Sequence, residues 1–319
     1  MKDADESFFQ PPENIVKGKD GKNYYVFQDG DNTYKYNIKD KKFYVNDKEF
    51  GGKIHICIPE GVSDYSKLNT ITMLNGIDKN GQSEHKETVQ NVYETFEGNS
   101  IVISFENGDM TFDPSNGKAD NVAAITKLVN HAANTDLSKC QNIITGGSRL
   151  GAKSLRIAAQ TGDVYQTVVC VNNAILVNGE NSPGSGKESF LNLEELQGLN
   201  GKNIYFISTR DDSNIYKDRY HNQANDPKNI PNAYLYTGIE LAIENCPDSQ
   251  IYLVENTGRE DFKELTGPNF HYRPDWWSVI TNDSENKYDQ HHYYKDILRD
   301  ICSNNFGGYN EYTANFVNK

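Results

Sequence analysis

Six short, nearly continuous apolar runs dominate the chain: NTITML (69–74), SIVISF (100–105), QNIIT (141–145), TVVCV (167–171), NIYFIS (203–208) and QIYLVE (250–255). Runs of this length without polar alternation suit strands buried on both faces of a parallel sheet. Helical stretches lie between several of them. DNVAAITKLVNHAANT sets Val122, Ile125, Leu128 and Val129 on one face and offers Asp120 as an N-cap, with His131 as a surface or packing residue of the same helix. AYLYTGIELAIEN precedes the run at 250–255, and YYKDILRDIC follows it. Strands that alternate with helices indicate an α/β architecture.

The N-terminal part has a different rhythm. Residues 20–50 alternate in period two, with breaks at Asp29-Gly30 and Lys39-Asp40, which reads as an antiparallel meander. In GKIHICIPEG, Ile54, Ile56 and Ile58 share one face and His55 and Cys57 the other, so His55 reads as a strand residue. The first 15 or so residues show no period and read as a loose arm. The expected organisation is an arm and β-meander over residues 1–52, packed on a main domain over residues 53–319 with insertions at about 176–200 and 257–290.

Charge narrows the partners. With 32 basic and 45 acidic residues the net charge is -13, which argues against nucleic acid or an anionic membrane. No apolar run approaches the roughly 20 residues of a membrane helix. MKDADESFFQPPEN lacks the basic and apolar regions of a leader peptide. The expected location is cytoplasmic if that start is native and extracellular if a leader preceded it. Cysteines at 57, 140, 170, 246 and 302 form no CxxC pair and no metal-ligand spacing, so they read as reduced, mostly buried thiols.

IITGGSRLGAKS (143–154) is an apolar strand entering a glycine turn and then a helix. Three chemistries use such a turn. A phosphate-binding P-loop needs its Lys directly after the second Gly. Gly146 and Gly151 have that spacing, but Ala152 intervenes before Lys153, and one extra helical residue rotates the Lys by about 100°. A dehydrogenase cofactor turn, T-G-x-x-x-G-x-G, would need Gly where Leu150 stands and a Tyr-x-x-x-Lys downstream, which this chain lacks. A nucleophile elbow needs small residues around a serine, because its strained backbone leaves little room. Gly146 and Gly147 precede Ser148, and Gly151 and Ala152 follow, although Leu150 occupies the place of the last Gly in G-x-S-x-G.

With Ser148 on such an elbow, residues from about 53 to 303 resemble the α/β-hydrolase superfamily. The resemblance implies a mostly parallel sheet flanked by helices, here with an N-terminal antiparallel β extension. It also implies an acid after a later strand and a His after the last one. Ser208-Thr209-Arg210-Asp211 fills the acid position, with Asp211 the first choice and Asp212 the second. His291 and His292 stand just before the terminal helix, as the family's catalytic His does. His271, in GPNFHYRPDWW, is expected to shape a pocket with Trp276 and Trp277. Asn75-Gly76-Ile77 follows a strand where the family has its oxyanion turn, so an N–H of Gly76 or Ile77 would join that of Arg149.

The expectation is a serine hydrolase acting on a carboxylic ester, with no metal or organic cofactor. Ser148 would attack, His291 or His292 would act as base, and Asp211 would orient the imidazole. Small-molecule, lipid and acylated-glycan esters all suit the aromatic residues of the second insertion, and no oligomeric state follows. The alternative is a hydrolase fold that has lost catalysis and serves as a binding protein, since Leu150 is bulky for an elbow.

Overall fold

The computed structural model of the chain describes residues 1–74, 100–105, 118–147, 149–171, 191, 193–209, 239, 242–256, 294–303 and 314–317. The N-terminal strands are β1 (Lys2–Asp3), β2 (Ile15–Lys17), β3 (Asn23–Asp29), β4 (Asn32–Asn37), β5 (Lys42–Val45) and β6 (Lys48–Ile58). They are followed by β7 (Asn69–Met73), β8 (Ser100–Phe105), helix α1 (Lys118–Ala132), β9 (Asn142–Gly147), helix α2 (Arg149–Gln160) and β10 (Thr167–Val171). Then come helix α3 (Leu193–Gln197), β11 (Asn203–Thr209), β12 (Gln250–Asn256), helix α4 (Tyr294–Cys302) and β13 (Ala314–Val317).

Among the described residues all the strands join one sheet, in the order β13-β12-β11-β10-β9-β7-β8-β6-β5-β4-β3-β2, with β1 beside β6. The six apolar runs of the sequence form its parallel centre, β7 to β12. β13 and β6 flank that centre antiparallel, and the meander continues from β6 to β2. All four meander connections use left-handed backbone: Gly21 (φ 79) between β2 and β3, Gly30 (φ 59) between β3 and β4, Lys41 (φ 59) between β4 and β5, and Asn46 and Asp47 (φ 49 and 66) between β5 and β6. Two consecutive left-handed residues match the right-handed twist of the flanking strands. β6 pairs with β5 through Lys48–Phe50 and with β8 through Ile54–Cys57, so one strand carries the chain into the main sheet.

Strand alternation sorts the helices onto two faces. On β7, Thr70 Oγ1 donates to Asn130 and Thr72 Oγ1 bonds Thr126, both on α1, at 3.0 and 2.8 Å. Asn69, one residue away, points to the other face, where its Nδ2 donates to the Cys302 carbonyl at the end of α4 (2.8 Å). Both faces of the centre are therefore dry, and Ile71, Ile103, Ile144, Val168 and Phe206 are fully buried. The hydroxyls within this core are satisfied in a chain, with Thr126 also bonding Tyr165 Oη at 2.9 Å.

Two sequence expectations change. The N-terminal arm is not loose: Phe8 and Phe9 are 1 % and 0 % exposed, and Phe9 packs on Tyr25 and Tyr36. The Gln10 N–H donates to the Ala132 carbonyl at the end of α1 (3.1 Å). The two rings hold an aperiodic segment that local pattern leaves unassigned. Asp120 is not an N-cap either, because α1 begins at Lys118; Asp120 sits in the first turn, where its charge still favours the positive helix end.

The thiols read from sequence are free, with Cys57, Cys170, Cys246 and Cys302 buried and Cys140 half-buried. His55 is a strand residue as expected, and it has company. Its Nδ1 lies 3.0 Å from Asp3 Oδ1 on β1 and 3.1 Å from Lys41 Nζ, which also donates to Asp3. Partial burial raises the Asp3 pKa, but the hydrogen bonds with His55 and Lys41 and the Lys41 charge outweigh it and hold the carboxyl down at about 2.

Candidate active site

Parallel strands put their carboxyl ends on one edge of a sheet, and a ligand crevice opens there where successive connections leave in opposite directions. In this sheet that place is between β7 and β9. They are neighbours, yet the chain leaves β7 for β8 on one side and leaves β9 for β10 on the other. Met73 is in register with Thr145, and the Leu74 N–H donates to the Thr145 carbonyl (2.9 Å), so β9 runs two residues past the end of β7.

β9 ends at Gly147 and α2 begins at Arg149, which leaves Ser148 as the single residue between strand and helix. So abrupt a reversal brings the helix onto the strand that feeds it. A Cβ on Gly146 would stand 2.7 Å from both the carbonyl carbon and oxygen of Leu150, so only glycine fits there. Leu150 itself is 5 % exposed and belongs to the hydrophobic core, so its bulk is absorbed by packing. Ser154 Oγ donates back to the Leu150 carbonyl (2.9 Å), and the Cys170 thiol donates to that of Gly151 (3.4 Å). Leu150, Ala152, Lys153, Ser154, Leu155, Ile157 and Ala158 are all buried, so α2 is enclosed nearly all round.

Two further candidates follow described strand ends in the sequence. Met73 ends β7 two residues before Asn75, and Thr209 ends β11 two residues before Asp211. Helix α4 is anchored at its C-terminal end. Its last carbonyls, Ile301 and Cys302, accept hydrogen bonds from Gln141 and Asn69, which lie where β9 and β7 begin. In the chain, His291 and His292 precede α4 by two residues or three.

Ser148, Asp211, Asp212, His271, Trp276, Trp277, His291, His292, Gly76 and Ile77 lie outside the described residues, and of Arg149 only the backbone is described. Sequence reasoning missed the seating of Leu150 over Gly146 and the burial of Lys153. Helical periodicity could have flagged Lys153, since it falls among Leu150, Ile157 and Ala158. Among the described residues, no group of three or more His, Cys, Asp or Glu side chains could hold a metal ion. Nor is any described helix long and apolar enough to cross a membrane.

A largely parallel sheet with helices on both faces, an antiparallel start, and a glycine turn from the central strand into a buried helix make up the α/β-hydrolase fold, and the chain has it. No family model matches the chain, and no curated protein matches it. Among solved structures it is similar to the LpqC poly(3-hydroxybutyrate) depolymerase of Bordetella parapertussis, at 12% identity, 82% of this chain, 91% of that chain and a TM-score of 0.43. It is also similar to a dienelactone hydrolase from Anabaena variabilis, at 12% identity, 81% and 92% coverage and a TM-score of 0.42. A glucuronoyl esterase from Caldicellulosiruptor kristjansonii gives 13%, 83% and 81%, and 0.40.

Proposed function

We propose that the chain is a serine hydrolase that cleaves carboxylic esters through an acyl-enzyme. The observation that supports this reading is that β9, at the switch point of the sheet, ends at Gly147 and α2 begins at Arg149, the residues on either side of Ser148 in the sequence. A residue there precedes the free N–H groups of a 12-residue helix, which favour negative charge. A tetrahedral oxyanion formed beside Ser148 would meet the Arg149 N–H and, from the turn after β7, that of Gly76 or Ile77.

In this mechanism His291, or His292 in its place, takes the Ser148 proton as Oγ attacks the acyl carbon. Asp211 holds the imidazole and offsets its charge. The protonated imidazole then gives its proton to the leaving alkoxide. Water, activated by the same base, releases the acid and restores the serine. Small-molecule, lipid or acylated-glycan esters are the substrates considered, with His271, Trp276 and Trp277 lining the acyl or alcohol side.

A fluorophosphonate probe tests the reading. Wild type should label at Ser148, as read by peptide mass, and Ser148→Ala should not label. A folded wild type that does not react would overturn the hydrolase assignment and favour a binding role for the fold.

A further inference from the structure

Residues 2–10 are tied to the rest of the molecule along their whole length. The Ala4 N–H donates to the Ile56 carbonyl of β6 (2.7 Å), next to the pairing of β1 with that strand. An Asp5 side-chain oxygen accepts the Ser7 N–H (3.0 Å) and the Asp5 carbonyl accepts that of Phe8 (3.0 Å), which folds the segment into a turn. The turn delivers Phe8 to Tyr65, with ring centroids 5.2 Å apart, and Phe9 to Tyr25 and Tyr36, at 5.2 and 5.6 Å. Asn23 Nδ2, on β3, donates to Glu6 Oε1 (2.6 Å).

Gln10 closes the segment, and both of its main-chain groups are engaged. Its N–H donates to the Ala132 carbonyl (3.1 Å), one of those that the end of α1 leaves without a helical partner. Its carbonyl lies 2.5 Å from Tyr25 Oη, which in turn lies 2.6 Å from Nδ1 of His131, in the last turn of α1. The order of protons follows from what each group can do. A carbonyl only accepts, so Tyr25 donates to Gln10. With its single proton spent there, the phenol oxygen accepts from His131, which assigns the imidazole proton to Nδ1. Burial raises the Tyr25 pKa over a smaller opposing hydrogen bond with Asn14, so the phenol keeps the proton it donates. The relay thus runs from α1 through β3 to Gln10, and the Gln10 N–H returns to α1. That helix end is itself a junction. Asn130 accepts from Thr70 at the start of β7 and donates to Asn142 at the start of β9, both at 3.0 Å.

We infer that residues 4–10 are a strap that opens and closes as one unit with the last turn of α1, latched by His131 and Tyr25. Opening withdraws Gln10 from both partners together, so α1 loses its cap and the relay loses its terminal acceptor in one step. The device does not depend on the hydrolytic reading.

Amide hydrogen exchange of the full-length protein, followed residue by residue by nuclear magnetic resonance, tests the coupling. In wild type the Ala4 and Gln10 amides of the strap should share one protection factor with the Ala133 and Thr135 amides, which donate to the Val129 and Asn130 carbonyls of α1. Tyr25→Phe keeps the ring beside Phe9 and removes the hydroxyl. It should speed these amides together by about five- to tenfold, the net effect of about one hydrogen bond. The Thr161 amide, bonded to the Ile157 carbonyl at the end of α2, should not change. His131→Leu, at an exposed position, takes the place of Tyr25→Phe if that variant does not fold, and should show the same pattern. Strap amides that accelerate without Ala133 and Thr135, or a Thr161 amide that accelerates with them, overturn the inference. The ring nitrogen shifts of His131 give a second reading: a neutral ring protonated at Nδ1 is expected, and one protonated at Nε2 removes the latch.

Discussion

Gly146→Ala is the sharpest probe of the elbow, because its consequence can be worked out atom by atom. The added methyl would sit 2.7 Å from the Leu150 carbonyl carbon and oxygen and 3.0 Å from Leu150 Cβ, whereas ordinary contact begins at 3.4 Å. The first turn of α2 must then retreat by about 0.7 Å, the difference between 3.4 and 2.7. The obstacle is backbone, so no side-chain rotation relieves it. Forced overpacking of this kind costs roughly 1–3 kcal/mol, which lowers the melting temperature by roughly 2 to 10 °C. The larger effect is predicted at the site, because Ser148 is joined directly to the turn that moves. Misplacement of a reacting atom by close to 1 Å costs on the order of a hundredfold in rate. The assay is the second-order rate of fluorophosphonate labelling, corrected for folded fraction by circular dichroism and a urea melt. Removing the side chain as well, in Gly146→Ala with Leu150→Ala, should not rescue the rate, because the two closest contacts are with main-chain atoms. Wild-type labelling and melting in Gly146→Ala would mean that α2 is not seated on the strand end, and the geometric basis of the elbow would fall.

Leu150→Ala should lower stability by about 2–5 kcal/mol in a urea melt, since Leu150 is 5 % exposed within the core; a loss below about 1 kcal/mol would place its side chain in open space. Of the paired histidines, one is predicted to be essential and its neighbour dispensable, since adjacent residues entering a helix point about 100° apart. His291→Ala should abolish hydrolysis and His292→Ala should retain it; full activity in both refutes the triad. Asp3→Asn addresses acid stability. A carboxyl lowered from 3.8 to about 2 contributes stability that is present above pH 3.8 and lost as pH falls toward 2. Wild type should therefore exceed Asp3→Asn in urea midpoint at pH 6, with the gap narrowing below pH 4; a gap that is constant with pH would remove the charge pairing as its cause.

The parallel centre was legible from the sequence because strands buried on both faces advertise themselves as unbroken apolar runs, and each of the six became β7 to β12. Their order was not, since nothing local says that β9 pairs with β7 rather than with β8. The arm escaped for a related reason: Phe8 and Phe9 find Tyr25, Tyr36 and the end of α1, partners that no short window contains. The same holds for His55, which meets Asp3 across 52 residues. At the elbow, the small residues were readable, but the specific need for Gly146 was not. It comes from the Leu150 carbonyl folding back over the strand, a contact that exists only once the turn has formed.

The hydrogen bond between Asn69 and the Cys302 carbonyl has a consequence for how the molecule is made. Asn69 opens the strand at the switch point, and its partner leaves the ribosome 233 residues later. At about 5–20 residues per second, this is a wait of roughly 12 to 47 s. During that interval the open face of β7 has no α4 to cover it, although α1 can already close the other face. A nascent chain stalled before residue 294 should therefore leave Asn69 without its α4 partner, and be less stable than the finished chain. The helix that follows His291 and His292 in the chain would thus dock late, against the earliest-made strand of the parallel centre.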